Sequence, residues 1–126
     1  MRFRILAALA LAAAIGVVTN AAPPALGQGS ALFMKPTLVA GHYILGSVLF
    51  VHDDAKMARG GACTTLYSYK DGKRGEPLVS FHCKPVARPL ANQVKVTCTE
   101  SADLKTMVMT EFQLPGEREG HGVPND

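Results

Sequence analysis

The residues best suited to chemistry in this chain are its three cysteines, Cys63, Cys83 and Cys98. Cys63 and Cys83 lie in two β-like segments on either side of an Asp-Gly turn, and folding about that turn sets them opposite each other. Directly opposed residues of antiparallel strands have Cα atoms about 4.5–5.5 Å apart, which suits a disulfide. We therefore predict a disulfide between Cys63 and Cys83. Cys83 with Cys98 is the alternative, because alternation also points Cys98 toward the core.

A second group of candidate residues lies in or near the sequence FVHDDAKM, at the end of one β-like segment. His52 and Met57 lie within it, and His82 precedes Cys83 on another segment. Imidazole, thioether and thiolate groups bind copper, zinc and haem iron. The sequence therefore offers a copper or zinc site formed by His52, Met57 and His82. The competing interpretation is that these residues are solvated strand ends and that no cofactor binds.

Catalytic residues are not indicated by the sequence. Asp53 and Asp54 are neighbours, so on a continuing strand their carboxylates point to opposite sides and cannot act as a pair. A nucleophilic cysteine needs a base beside it, and no motif supplies one. We predict that the protein is not an enzyme.

The scaffold that must position these residues is predicted to be all-β. Glycine and proline interrupt short runs rich in Val, Thr, Tyr, Phe and Leu with two-residue alternation, which is typical of strands, and no helix is predicted. Such spacing favours a small antiparallel β-sandwich or barrel of about five to seven strands. The predicted strands cover residues 32–35, 43–52, 63–70, 77–84, 93–99 and 105–114.

The clearest local prediction is a hairpin whose loop is DGKRG. Folding about Lys73 places Thr65 opposite Phe81 on the apolar face. The same register leaves Leu66 and His82 on the other, partly solvated face.

The N-terminus predicts export by general secretion. Arg2 and Arg4 precede an uncharged apolar run over residues 5–18, the pattern of a secretory signal peptide. The run is shorter than the roughly twenty residues that span a bilayer, so no permanent membrane anchor is expected. Small residues place the cleavage between positions 21 and 27, which leaves a periplasmic or extracellular protein.

The remaining chain is long enough for one domain. We assign residues 1–27 to the signal peptide and a short linker, 28–114 to the β-domain, and 115–126 to a flexible tail in which His121 is exposed. The net charge of +3 falls to about +1 when Arg2 and Arg4 are removed. A balance so close to neutral argues against a nucleic acid partner.

The segment TLVAGHYILG has an L-x-A-G-x-Y strand entry formed by Leu38, Ala40, Gly41 and Tyr43. In these residues the chain resembles small, mostly uncharacterised secreted bacterial β-domain proteins. The resemblance covers about ten residues, and it implies a β-sandwich with no known activity.

Two functions follow from the sequence as hypotheses. The first is a non-enzymatic exported β-domain that binds an unknown protein or envelope partner, or has a structural or surface-assembly role, with self-association through strand edges as a further option. The alternative is a small periplasmic metal-binding protein with His, Met and Cys ligands.

Overall fold

The computed structural model describes residues 26–103 and 105–125, which are mostly β-strand. The all-β prediction is confirmed, with more strands than expected and one five-residue helix that was not predicted. The predicted signal peptide falls in residues 1–25 and lies outside the described residues. Within the described part, no helix has the length and apolar character needed to cross a membrane. The elements are β1 (Leu26–Val39), β2 (His42–Asp53), α1 (Asp54–Ala58), β3 (Thr64–Lys70), β4 (Lys73–Phe81), β5 (Lys84–Ala87), β6 (Lys95–Glu100), β7 (Met107–Gln113) and β8 (Glu119–Gly122).

The eight strands form one open sheet in the order β4-β3-β2-β1-β7-β8-β5, with β6 paired to β7. The ladders are antiparallel except for a short parallel contact between β1 and β7. The closed barrel or sandwich remains a prediction. This strand order places the C-terminal strand β8 between β7 and the edge strand β5.

The longest hairpin joins β1 to β2 through a two-residue turn. Val39 pairs with His42, and the turn residues Ala40 and Gly41 have φ angles of 49° and 86°. Positive φ at both central residues is characteristic of the tight turns that match strand twist. β1 begins at Leu26, well before the strand predicted at residues 32–35.

The loop between β3 and β4 is shorter than the predicted DGKRG loop. Lys70 pairs with Lys73, so Asp71 and Gly72 alone form the turn, with φ angles of 53° and 72°. The Asp-Gly pair was the correct signal for the turn. Centring the fold on Lys73 was wrong, because Lys73 already belongs to β4.

The shorter loop exchanges the two faces of β3 relative to the prediction. Thr64 lies opposite Phe81 and Leu66 lies opposite Val79, so Leu66 is fully buried in the core. Thr65 lies opposite Ser80, not opposite Phe81 as predicted. A one-residue change of register moves every side chain to the other face of a strand, and this explains the error.

The core is built around four phenylalanine rings. Phe50 of β2 and Phe112 of β7 are almost fully buried, with ring centroids 4.9 Å apart. Phe33 approaches Phe50 at 6.3 Å, and Phe81 meets Phe112 edge-on at 6.2 Å. Tilted and edge-on aromatic pairs are favourable geometries beyond simple area burial. The four rings therefore connect β1 and β2 with β4 and β7 in one core.

The C-terminal segment is part of this core, which corrects two predictions. Residues 119–122 form β8, paired with both β5 and β7, where a flexible tail was expected. His121 is fully buried, where an exposed side chain was expected. Further along, the Asn125 side chain accepts a hydrogen bond from the Ala40 backbone N–H and donates one to the Met109 carbonyl. The segment was misjudged because Glu-Gly-His-Gly has no apolar alternation, and its burial comes from tertiary pairing.

Candidate metal centre

Two histidines, two cysteines and one glutamate meet in one cluster. Each comes from the end of a strand or the segment beside it, so the site depends on the fold as a whole. The two cysteines and two histidines are buried, and the carboxylate of the glutamate is partly exposed. The five residues are His52, Cys63, Cys83, Glu117 and His121.

Cys63 and Cys83 lie beyond the last paired residues of the β3–β4 hairpin. Thr64 and Phe81 are the last pair, so both cysteines stand where the ladder has ended. Their sulfur atoms are 2.8 Å apart, and the Cys83 backbone N–H points to the Cys63 sulfur at 3.3 Å. The predicted proximity of the two thiols is therefore present, although the predicted strand register was wrong. The disulfide itself stays a prediction.

His121 is held in one orientation by contacts on both sides of its ring. Its Nε2 lies 2.7 Å from the Glu117 carboxylate, and its Nδ1 lies 3.4 Å from the Cys83 sulfur. Because a carboxylate only accepts hydrogen bonds, it favours the tautomer with the proton on Nε2 and leaves Nδ1 with a lone pair. The ring also stacks on Phe112, with centroids 4.8 Å apart.

His52 carries the polar atom of the cluster that has no hydrogen-bond partner. It is 2 % exposed, its Nδ1 lies 3.3 Å from the Asp54 carboxylate, and its ring centroid is 4.2 Å from that of His121. Its Nε2 is buried without a partner among the described residues. An unsatisfied buried nitrogen costs about 1–3 kcal/mol, so it needs an explanation.

Burial sets the protonation states of the centre. Desolvation lowers the pKa of His52 below its ordinary value, and the neighbouring His121 lowers it further. Desolvation and the hydrogen bond with Cys63 raise the pKa of Cys83 to about 12. At neutral pH the metal-free centre therefore holds a neutral His52 and a protonated Cys83 thiol.

The potential ligand atoms form two overlapping groups. One atom from each of His52, Cys63 and Cys83 lies within 4.8 Å of the others, and the same holds for His52, Glu117 and His121. His52 belongs to both groups, and the contact between Cys83 and His121 joins them a second time. The arrangement offers sulfur and nitrogen ligands in a dry setting, the donor set of zinc and copper(I) sites.

One residue of the metal site predicted from the sequence lies in this cluster. His52 is central to it, whereas Met57 lies on α1 with 37 % of its surface exposed and His82 is exposed on the chain between β4 and β5. Met57 and His82 belong to neither of the ligand groups found among the described residues. Asp53 has a structural role, because its carboxylate caps α1 by accepting from the backbone N–H groups of Ala55 and Lys56.

Cys98 lies apart, in an apolar cleft of about 450 Å³. It is half-buried, and burial raises the pKa of its thiol. The cleft runs between the middle of β1 and the strands β6 and β7, with Phe33, Met34, Val96 and Met107 among its lining residues and Lys35 as its one charged lining residue.

Comparisons with protein-family models, curated proteins and solved structures gave no match to this chain. Assignment of a function therefore rests on the geometry of the site.

Sequence reasoning missed Glu117 and His121, two of the five residues in the centre. The sequence contains one local signal, because His121 stands between two glycines. In the structure, a Cβ on Gly120 would collide with the Glu111 carboxylate. Glycines on both sides of a histidine permit close approach of neighbouring strands.

Proposed function

We propose that this chain is a small exported β-domain that binds one zinc or copper(I) ion through His52, Cys63, Cys83 and His121. The observation that carries the proposal is the buried Nε2 of His52, which lacks a hydrogen-bond partner and lies on a residue grouped with two thiols. A metal ion would supply the missing partner. Orphaned polar atoms in native cores are rare, and a ligand is one of the accepted explanations for them.

The spacing of Cys83 and His121 supports coordination of one ion. Two ligands on a tetrahedral zinc ion, with Zn–S near 2.3 Å and Zn–N near 2.0–2.1 Å, lie about 3.5 Å apart. The observed distance from the Cys83 sulfur to the His121 Nδ1 is 3.4 Å. The carboxylate of Glu117 on the other nitrogen matches the usual outer partner of a metal-ligating histidine.

The burial of the centre supports a binding or structural role for the ion. Zinc sites with four protein ligands are closed, whereas catalytic sites keep one position for water or substrate. His52, Cys63 and His121 are each at most 2 % exposed.

Metal titration of the reduced full-length mature protein tests the proposal. We expect one equivalent of Zn²⁺ or Cu⁺ to bind in competition with a chromophoric chelator. His52→Ala should weaken binding by more than the roughly 10–100-fold that loss of an outer-shell partner costs. His82→Ala, which removes an exposed histidine one residue from Cys83, is the matched control and should leave affinity unchanged. Equal binding by wild type and His52→Ala would contradict the proposed site.

A second candidate function rests on the apolar cleft beside Cys98. A volume of about 450 Å³ falls within the range of small-molecule sites, and the lining is mainly apolar. The exposed side chains of Leu32 and Met34, at 61 % and 80 %, extend this apolar surface along β1. These features support the binding-module hypothesis, with an apolar compound as the ligand.

Fluorescence of an apolar dye such as N-phenylnaphthylamine tests this second function. We expect saturable binding that Val96→Asp abolishes and that Val86→Asp, on β5 outside the cleft, leaves intact. Dye binding that is unchanged in Val96→Asp would rule out the cleft as the site.

A further inference from the structure

We propose that Cys63 and Cys83 form a peroxide-reactive redox site, in which oxidation to a disulfide expels the bound metal ion. The inference rests on the proposed metal site and adds a reaction to it. It is based on the distance between the two sulfurs, on their burial, and on the contact between His121 and Cys83.

The two sulfur atoms lie between the positions required by a metal and by a disulfide. Their separation is 2.8 Å. Two sulfurs bound to one tetrahedral zinc ion are about 3.8 Å apart, and the two sulfurs of a disulfide are about 2.05 Å apart. Small side-chain rotations therefore reach either state, and the two states exclude each other because a disulfide sulfur is no longer a thiolate ligand.

The burial of the Cys63 and Cys83 sulfurs limits which oxidants can reach them. Cys63 and Cys83 are 2 % and 9 % exposed, and they pack in the hydrophobic core. Exchange with a disulfide requires that a bulky disulfide reach the attacking sulfur, which this packing prevents. Hydrogen peroxide is small and uncharged, so brief opening of the core admits it. The substrate class is therefore a small peroxide.

The reaction would begin with the thiolate of Cys83, the form in which this sulfur would ligate a metal ion. This sulfur attacks one peroxide oxygen, the O–O bond breaks, and hydroxide leaves with a sulfenic acid remaining on Cys83. The Cys63 thiolate then attacks the Cys83 sulfur, the S–O bond breaks, and a second hydroxide leaves as the disulfide forms. In sum, two thiolates, one peroxide and two solvent protons give one disulfide and two waters. A zinc ion held by the two thiolates would leave as Zn²⁺, because zinc has no redox chemistry of its own.

His121 is the positioning residue for this step. Its Nδ1 is 3.4 Å from the Cys83 sulfur, whereas Glu117 holds the opposite side of its ring. The contact distinguishes Cys83 from Cys63 and assigns Cys83 as the attacking sulfur. Among the described residues, the Cys63 sulfur has no hydrogen bond to a histidine, although His52 lies within 4.8 Å of both sulfurs, and we assign Cys63 as the resolving sulfur.

Zinc release by hydrogen peroxide tests the proposal. The sample is the reduced, zinc-loaded mature protein with Cys98→Ser, which removes the remaining thiol. We expect one zinc ion released for each peroxide consumed and a Cys63–Cys83 disulfide in peptide maps. Oxidised glutathione at the same concentration should release zinc at least about tenfold more slowly, because it cannot reach the buried sulfurs.

Three outcomes would contradict the redox inference while leaving the proposed metal site intact. Zinc retained after peroxide treatment, or release without the disulfide, would contradict it, as would faster release by glutathione. A chain that binds no zinc when reduced defeats the proposed function instead. The redox inference then fails with it, because without the metal Cys83 stays a protonated thiol, which is not the form that attacks peroxide. Dimedone trapping in Cys63→Ser should label Cys83, and label on no cysteine would contradict the assigned order.

Discussion

Glu117 determines which nitrogen of His121 faces the Cys83 thiol. Its carboxylate accepts from Nε2 at 2.7 Å, so Nδ1 presents a lone pair toward Cys83. Replacing Glu117 with Gln removes the charge and allows the amide to donate, so the ring loses its fixed tautomer. We expect Glu117→Gln to weaken zinc binding by about 10–100-fold, measured by competition with a chelator.

Glu119 supplies the control for this prediction. Its carboxylate also approaches His121, but at 3.9 Å from Nδ1 and with nearly half of its side chain exposed. Glu119→Gln should therefore change zinc affinity much less than Glu117→Gln. Equal losses in the two variants would mean that general negative charge, and not orientation of the ring, governs the site.

The sequence revealed this site only in part, for reasons visible at single residues. Cys63 and Cys83 were paired correctly as neighbours because they flank an Asp-Gly hairpin, a local signal. His52 was recognised as a ligand type, but its true companion His121 lies far along the chain. That contact depends on the pairing of β8 with β7, which no short-range pattern encodes.

Among the elements, the β3–β4 hairpin depends on the backbone freedom of one glycine. Gly72 has a φ of 72°, a conformation that an L side chain adopts at a cost of about 1–2 kcal/mol. We expect Gly72→Ala to lower the free energy of unfolding by about this amount in urea titrations. A loss of this kind comes from strain alone, since a Cβ at Gly72 meets no atom within 4 Å.

Gly61 is the matched control for this turn. A Cβ there would lie 3.4 Å from the Lys56 carbonyl, an ordinary contact, and its φ is not in the left-handed region. Gly61→Ala should therefore leave stability within about 0.5 kcal/mol of wild type. A similar loss in both variants would show that the hairpin turn is not the cause.

A second link between elements ties β7 to the chain that follows β5. Arg88 donates from Nε and Nη2 to the two carboxylate oxygens of Glu111, at 2.7 Å and 2.6 Å. This pair holds the pKa of Glu111 below its usual value of 4.5. A depressed pKa stabilises the fold above the unfolded value, and the contribution disappears as the pH falls through the folded value.

The acid stability of a Glu111→Gln variant follows from this sign. Wild type should lose more free energy of unfolding than Glu111→Gln as the pH is lowered from about 6 to about 3. Glu76→Gln, at an exposed position of β4, should behave like wild type. The comparison uses urea titrations at each pH, and parallel curves for wild type and Glu111→Gln would contradict the role of the pair.

The elements themselves were predictable to different degrees. The alternating segments of β2, β3, β4 and β7 were located, since strands that bury one face leave a two-residue period. The first part of β1 was missed because Gly27, Gly29 and Pro36 weaken its pattern. β8 was missed because its burial comes from packing against Phe112, not from its own composition.

For the whole molecule, we predict export, and this prediction gives the compartment in which the metal centre would bind its ion. Arg2, Arg4 and the apolar run after them predict removal of a signal peptide by the general secretion pathway. We expect a mature N-terminus between Ala22 and Gln28 when the exported protein is examined by intact mass. Retention of Met1 in the exported form would contradict this.

The setting matters for the chemistry because an oxidising compartment favours the disulfide state of Cys63 and Cys83. A metal ion must compete with that state, so occupancy of the centre should depend on both metal supply and peroxide.

The composition of the zinc coordination shell tests the central claim most directly. X-ray absorption at the zinc edge, on the reduced and zinc-loaded mature protein, reports the number and distance of sulfur and nitrogen ligands. We predict two sulfurs near 2.3 Å and two imidazole nitrogens near 2.0–2.1 Å, with one nitrogen lost in His52→Ala. A shell of nitrogen and oxygen ligands alone, or one unchanged in His52→Ala, would contradict the account.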